Sequence, residues 1–213
     1  MTIEIKIFIE KDAKSYIEYI SKLRIEVFRE FPYLYNGDIE YEMKYMKDYT
    51  SDQKGMIAVA WKEGEIAGIS TGIPLISESE IVAEAHDAFK SHNINSKDCY
   101  YYGEIIVLPK FRGLGITSKL YEAQDEIIKK WGFKHACILT VVRESDHPLK
   151  PKAYKSLDNM WSHLGFFKNN IRVEFHWPTI QHDGSTKDVK NTLEFWTKDM
   201  AKVPSSSDKQ ESE

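Results

Sequence analysis

The sequence predicts an α/β (α+β) domain, a central sheet of six to seven strands flanked by helices on both faces. Three observations predict it. Segments with period-two alternation, or with β-branched and aromatic composition, interleave with segments of helical spacing. The stretch 100–118 reads as a strand, a glycine turn and a helix. Two aromatic, strand-like segments close the chain after residue 170. The 213 residues suffice for a sizeable core, and 42% hydrophobic with 13% aromatic is ordinary globular composition.

In chain order, 2–9 alternates Ile3, Ile5, Ile7 and Ile9 against Thr2, Glu4, Lys6 and Phe8, a strand with one buried face. Asp12 is placed to cap a helix with the stripe Tyr16, Ile20, Leu23, Val27 and Phe31, closed by Pro32. An aromatic turn from Tyr33 leads into a second helix through Tyr41, Tyr45 and Met46 towards Tyr49, with Glu40, Glu42 and Asp48 among the rings. Rings interleaved with carboxylates suit a cation. The preferred alternative is an amphipathic helix with its tyrosines on the sheet and its acids in water. Strands at 56–61 and 66–73 form a hairpin over Lys62-Glu63-Gly64-Glu65. Gly68 and Gly72 mark a bend or a close backbone approach. From 76 to 95 the pattern is polar and helical, with Ile81, Ala85 and Phe89 on one face.

Strand 99–108 ends before Pro109, which has no N–H to give a ladder. Helix 116–131 follows through Ile116, Leu120, Ala123, Ile127 and Trp131, and stops at Gly132. A strand at 135–142 and a polar loop lead to Pro151, read as the first turn of a helix with the stripe Tyr154, Leu157, Met160 or Trp161, and Leu164. Gly165 stops it. Strands 170–180 and 191–197 pair antiparallel. Residues 1–203 are read as one domain and 204–213, rich in serine, acids and lysine, as a disordered tail.

The chemistry concentrates at the glycine turn. Gly113 and Gly115 let backbone N–H groups approach a ligand, and the helix that begins beside them leaves its first N–H groups without internal partners. Such a turn suits an anionic oxygen, most obviously of a phosphate. Neither a Walker loop, which needs Gly-Lys-Ser/Thr, nor a dinucleotide fingerprint, which needs a third glycine near Ser118, fits. The alternative is a plain connection. Alternation places Tyr100, Tyr102, Glu104, Ile106 and Leu108 on one face of the strand. A carboxyl in an apolar strand has a raised pKa, as suits a base accepting a proton from an ammonium. The alternative for Glu104 is a structural carboxylate bonded to hydroxyls or backbone.

The segment from Val107 to Tyr121 resembles motif A of the GCN5-related N-acetyltransferases (GNAT), Arg/Gln-x-x-Gly-x-Gly/Ala after a hydrophobic strand. Here it reads Arg112-Gly113-Leu114-Gly115-Ile116-Thr117, with Thr117 in place of the last Gly/Ala. Leu164-Gly165-Phe166 matches the family's weaker closing motif, and the likeness extends over about 2–200. The resemblance implies a mostly antiparallel mixed sheet and a turn, Arg112 to Ser118, that wraps the pyrophosphate of acetyl-CoA. It implies that this strand and the next splay apart, with the pantetheine arm on the backbone of Ile105, Ile106 and Val107. It implies Glu104 as general base, and makes 76–98 a helical insertion, either a lid or decoration. One departure stands out. The tyrosine that protonates the leaving thiolate in many members is Trp161 here, a donor but a poor acid. Either Tyr154 supplies the hydroxyl or the thiolate leaves unassisted.

The implied function is transfer of an acetyl or short acyl group from acetyl-CoA to an amine, on a small molecule or a peptide, by direct attack in a ternary complex. Two alternatives stay open: a regulatory module that binds acyl-CoA without consuming it, and a protein acetyltransferase docking its substrate on the Tyr33 to Tyr49 region. The net charge of −4 argues against a nucleic-acid partner. No stretch reaches the roughly 18 apolar residues of a membrane span. The scattered histidines show no metal-ligand spacing, and Ser145-Asp146-His147 lacks the hydrolase elbow. Cys99 and Cys137 form no disulfide framework, and the N-terminus lacks a signal-peptide core, so the expected location is cytoplasmic. The sequence does not fix the oligomeric state.

Overall fold

The computed structural model describes residues 2–203. The predicted tail lies outside them. The sheet has seven strands, β1 (Glu4–Ile9), β2 (Met56–Lys62), β3 (Glu65–Pro74), β4 (Cys99–Val107), β5 (His135–Val141), β6 (Phe167–Ile180) and β7 (Thr186–Asp199). Their order is β1-β2-β3-β4-β5-β7-β6. Only β4 and β5 run parallel. The helices are α1 (Ile17–Phe28), α2 (Ile39–Ser51), α3 (Val82–Lys90), α4 (Ile116–Lys130) and α5 (Asp158–His163).

Helices cover both faces. Ile20 and Leu23 of α1 and Met46 and Tyr49 of α2 share a core with Ile57, Val59 and Ile69, and Ala85 and Phe89 of α3 extend it beside β6 and β7. On the other face Ile116 and Leu120 of α4 pack on Ala58 and Ala60, and Tyr121 and Trp161 on Tyr100 and Tyr102. The small alanines let α4 lie close to the sheet. Phe89 of α3 meets Phe195 of β7 edge-on at 4.7 Å.

Local signals act as expected at most element ends. The β2–β3 hairpin closes over Glu63 and Gly64, both with positive φ, as a two-residue turn requires. Helices α4 and α5 end alike. Gly132 and Gly165 adopt positive φ, and the N–H groups of Phe133 and Phe166 return to the carbonyls of Ile128 and Trp161.

Three predictions need correction. Residues 10–16 form a 3-10 segment, so α1 begins at Ile17 with no side-chain cap from Asp12, and it ends at Phe28. Pro151 does not start a helix. Residues 142–157 are a run of turns, and α5 begins at Asp158. Leu157 is half exposed, and Tyr154 leaves the stripe to pack edge-on against Phe31 at 4.7 Å. The third correction concerns β4. Ser70 pairs with Ile105 and Gly72 with Tyr102, so Gly103 and Glu104 together oppose Thr71. This bulge reverses the alternation. Tyr100 and Tyr102 face α4, whereas Glu104 and Ile106 face α1 and α2, as Tyr101 does.

Candidate active site

The β4–β5 pairing stops early. Cys99, Tyr100 and Tyr101 pair with His135, Ala136 and Cys137, and no further pairing joins the two strands. Beyond that point they splay, as the resemblance implied. The Leu108 N–H bonds back to Ala67 on the β3 side. By strand alternation Ile105 and Val107 therefore direct their backbone groups into the gap, while Ile106 serves β3. The Val107 carbonyl accepts from Arg112 Nε at 3.2 Å. That leaves the Val107 N–H and both backbone groups of Ile105 along the open edge.

The glycine turn stands at the mouth of this gap. Gly113 and Gly115 have φ of +77° and +71°. A Cβ on either would meet nothing within 4 Å, so backbone conformation rather than space demands glycine, and the ground before the turn is open. The first α4 hydrogen bond outside the helix body runs from Lys119 N–H to the Gly115 carbonyl at 3.2 Å. The N–H groups of Ile116, Thr117 and Ser118 are therefore the terminal donors a helix leaves free, at its positive end. Ile116 buries its side chain and offers backbone alone; Leu114 is exposed. A cleft of ≈ 620 Å³ continues from Ser118 along α4, bounded opposite by His163, Leu164 and Lys198.

On the other side of β4 lies a buried ionic cluster. Glu104 is buried, as predicted, but its surroundings are not apolar. Its Oε1 meets Arg24 Nη1, and its Oε2 accepts from the Thr71 hydroxyl, which in turn accepts from the Glu104 N–H at 3.0 Å. Arg24 Nε binds Glu42, whose other oxygen accepts from the Tyr35 hydroxyl at 2.7 Å. The guanidinium also lies 4.5 Å from the Tyr45 ring centre and 5.0 Å from that of Phe28. Burial opposes the charge on Arg24, but Glu42 and the neighbouring phenols outweigh it and raise its pKa further. The rings and acids expected to attract a cation thus hold one from the chain itself. Tyr45 and Tyr49 pack inwards, as the amphipathic reading preferred, whereas Glu42 is buried rather than solvated.

The bulge explains how these groups meet. A Cβ at Gly103 would collide with the Tyr49 hydroxyl and lie 2.8 Å from Thr71 Oγ1. Glycine there admits the tyrosine beside Glu104. Asp38 fixes α2, accepting from the N–H groups of Glu40 and Tyr41 at 3.0 Å. The aromatic loop before α2 is held from across the gap. Arg143 Nε donates to the Pro32 carbonyl at 2.7 Å, and Arg143 Nη2 to the Tyr33 carbonyl at 3.0 Å. Phe31 carries His147 at 5.6 Å as well as Tyr154. Burial raises the Tyr154 pKa, keeping its phenol protonated. Trp161 packs on Tyr121 and Phe166 with ring centres 6.1 and 6.3 Å away, as the core-packing reading expected.

Sequence reasoning missed Arg24, Thr71 and Glu78. Arg24 had a signal: it lies four residues after Ile20 and four before Phe28, on the apolar side of α1. Glu78 is fully buried, with Oε2 bonded to the Ile81 N–H and Oε1 unpartnered among the described residues. Burial raises its pKa to about 7, and Glu80 and Asp48 add to the rise. Because the folded protein holds this proton more tightly than the unfolded chain, stability falls as pH rises from the ordinary carboxyl range through 7. Glu78→Gln keeps the acceptor and removes the titration. Between pH 5 and 8 the wild-type melting temperature should fall by ~5–10 °C more than that of the variant, for a loss of ~2–3 kcal/mol. Parallel slopes in thermal melts would count against this account.

A parallel pair that opens over a glycine turn, beside a strand-borne carboxylate, is the arrangement that the sequence resemblance implied. The chain belongs to the acetyltransferase (GNAT) family, whose model matches residues 20–151. The fold also matches an N-acetyltransferase of Staphylococcus aureus Mu50, with a TM-score of 0.54 and 13% identity over 92% of this chain and 99% of that one. The ribosomal-protein-S18-alanine N-acetyltransferase of Escherichia coli matches with a TM-score of 0.55 and 11% identity over 96% and 98%. The protein yncA of Salmonella typhimurium, solved with its cofactor acetyl-CoA, matches with a TM-score of 0.55 and 9% identity over 96% and 98%. No curated protein matches the chain. Acyl transfer is the general chemistry that this membership supports. No helix among the described residues is long and apolar enough to cross a membrane.

Proposed function

We propose that residues 1–203 act as one N-acetyltransferase domain, moving an acetyl or short acyl group from acetyl-CoA to an amine in a ternary complex. The observation that carries this is the open edge of β4 leading to the glycine turn. Backbone donors of Gly113, Leu114, Gly115, Ile116, Thr117 and Ser118 take the pyrophosphate, with Arg112 anchoring the turn to Val107. The free groups of Ile105 and Val107 align the pantetheine amides, and Ile106 sets the register of the strand.

In this reading the amine nitrogen attacks the thioester carbonyl, the C–S bond breaks, and the CoA thiolate leaves. Glu104 first takes a proton from the acceptor's ammonium, directly or through water, to free the attacking amine, and Tyr154 is the phenol that returns one to the thiolate. The acceptor is a small-molecule or peptide amine. Two carboxylates against one guanidinium leave the cluster negative, which favours an acceptor arriving as a cation. The buried, unpaired cysteines Cys99 and Cys137 fit a reducing, cytoplasmic compartment.

The test is incubation of the purified chain with acetyl-CoA and a panel of amines, polyamines, amino acids and peptides. Free thiol and acetylated product should appear in equal amounts with at least one acceptor. A thioester bound but unconsumed for days with every amine would instead favour the non-catalytic module. Acetylation of peptides alone would assign a protein acceptor. The inward packing of Tyr45 and Tyr49 weakens the 33–49 region as a docking face, since it leaves Tyr41 and Met43 as its exposed large apolar groups.

A further inference from the structure

We propose that Arg24 is a positioning residue of the transfer reaction, fixing the Glu104 carboxylate against β4 and sharing its charge between Glu104 and Glu42; this rests on the acetyltransferase reading. All four oxygens of the two carboxylates have donors: Arg24 and Thr71 on Glu104, Arg24 and Tyr35 on Glu42. The Arg24 side chain is 12% exposed, and those of Glu42 and Glu104 are 0% and 2% exposed. At that depth water does little to screen the three charges from one another. The planar fork reaches one acid with Nε and the other with Nη1, which a lysine ammonium cannot reproduce. Tyr45 and Phe28 hold the guanidinium between the two helices. Among the described residues the cation bonded to Glu104 is Arg24, and around that guanidinium stand the carboxylate of Glu42 and the phenols of Tyr33, Tyr45 and Tyr49.

A purely structural ion cluster and a positioning device differ in one respect. Arg24 favours the ionised form of Glu104, whereas Glu42 opposes it and competes for Arg24. Removing either partner therefore moves the base in opposite directions. In Arg24→Met the acid limb of the kcat/KM–pH profile should move to higher pH by about 1 unit, with kcat/KM on that limb falling up to ~10-fold. In Glu42→Gln the limb should move to lower pH. Arg24→Lys should hold the limb near its wild-type place while lowering kcat through loss of the fork, and the KM for acetyl-CoA should stay unchanged throughout.

The experiment pairs these profiles with ¹³C titration of the Glu104 carboxyl, assigned with Glu104→Gln, in protein without substrate. If Arg24→Met fails to fold, Arg24→Lys and Glu42→Gln still carry the comparison. Shifts of opposite sign in both readouts support the proposal. Coincident limbs and resonances, or movement of both variants in the same direction, overturn the role of Arg24. A wild type that transfers acetyl to no acceptor overturns the transferase reading instead, and the carboxyl titration separates that failure from the first.

Discussion

Gly115→Glu should abolish measurable binding of acetyl-CoA, weakening it at least ~100-fold. Two costs add. The residue sits at φ +71°, so any Cβ is strained there, by roughly 1–2 kcal/mol. The carboxylate then stands before the terminal N–H groups of α4, where the pyrophosphate would lie, and repels it at short range. The control is Gly115→Ala. Its Cβ meets nothing within 4 Å, so it should pay the backbone strain alone and bind within about tenfold of wild type. Calorimetric titration of acetyl-CoA into the three proteins, each checked by thermal melting, makes the measurement. Folded Gly115→Glu that binds like wild type would return the turn to a plain connection.

Glu104→Gln should lower kcat by ~10²–10⁴-fold with acetyl-CoA binding intact, the usual span for losing a general base. Glutamine keeps the acceptor towards Arg24 or Thr71, and Arg24 keeps Glu42, so the cluster retains a partner for its cation. The loss should shrink at high pH, where free amine needs no base. Steady-state rates across pH 6–10 with any active acceptor test this. A variant with near wild-type kcat at every pH would leave Glu104 as a structural anchor.

Much of this molecule is legible in its sequence, and the parts that are not share a physical cause. Alternation located β1; β-branched and aromatic composition located the other strands; and glycine placed the ends of α4 and α5 because only a left-handed residue closes those helices cheaply. The glycine turn was readable as a backbone conformation, the positive φ of Gly113 and Gly115, which the glycines themselves announce. The face of Glu104 was not. One extra residue at Gly103 flips the strand, and the reason for that glycine, the Tyr49 hydroxyl, comes from a helix more than 50 residues upstream. Tyr154 misled for a related reason: its spacing to Leu157 and Trp161 is helical, yet its ring is wanted by Phe31. Acids among tyrosines suit a cation as well as an amphipathic packing, and composition did not show that Arg24 of the chain itself lies among them.

The short seam between β4 and β5 has a consequence for the life of the protein. Three residue pairs join a plate of four strands to a plate of three. On the proposed reading, acetyl-CoA laid in the gap works as a keystone, filling backbone positions that no strand fills and bracing the plates against each other. A ligand that binds only the closed arch stabilises it in proportion to its supply, by about 2.7 kcal/mol at a hundredfold excess over Kd. With little acetyl-CoA that added stability would be absent, and the unfolded chain would be exposed to proteases more often. The abundance of the protein would then follow the acetyl-CoA supply of the cell with no regulator in between.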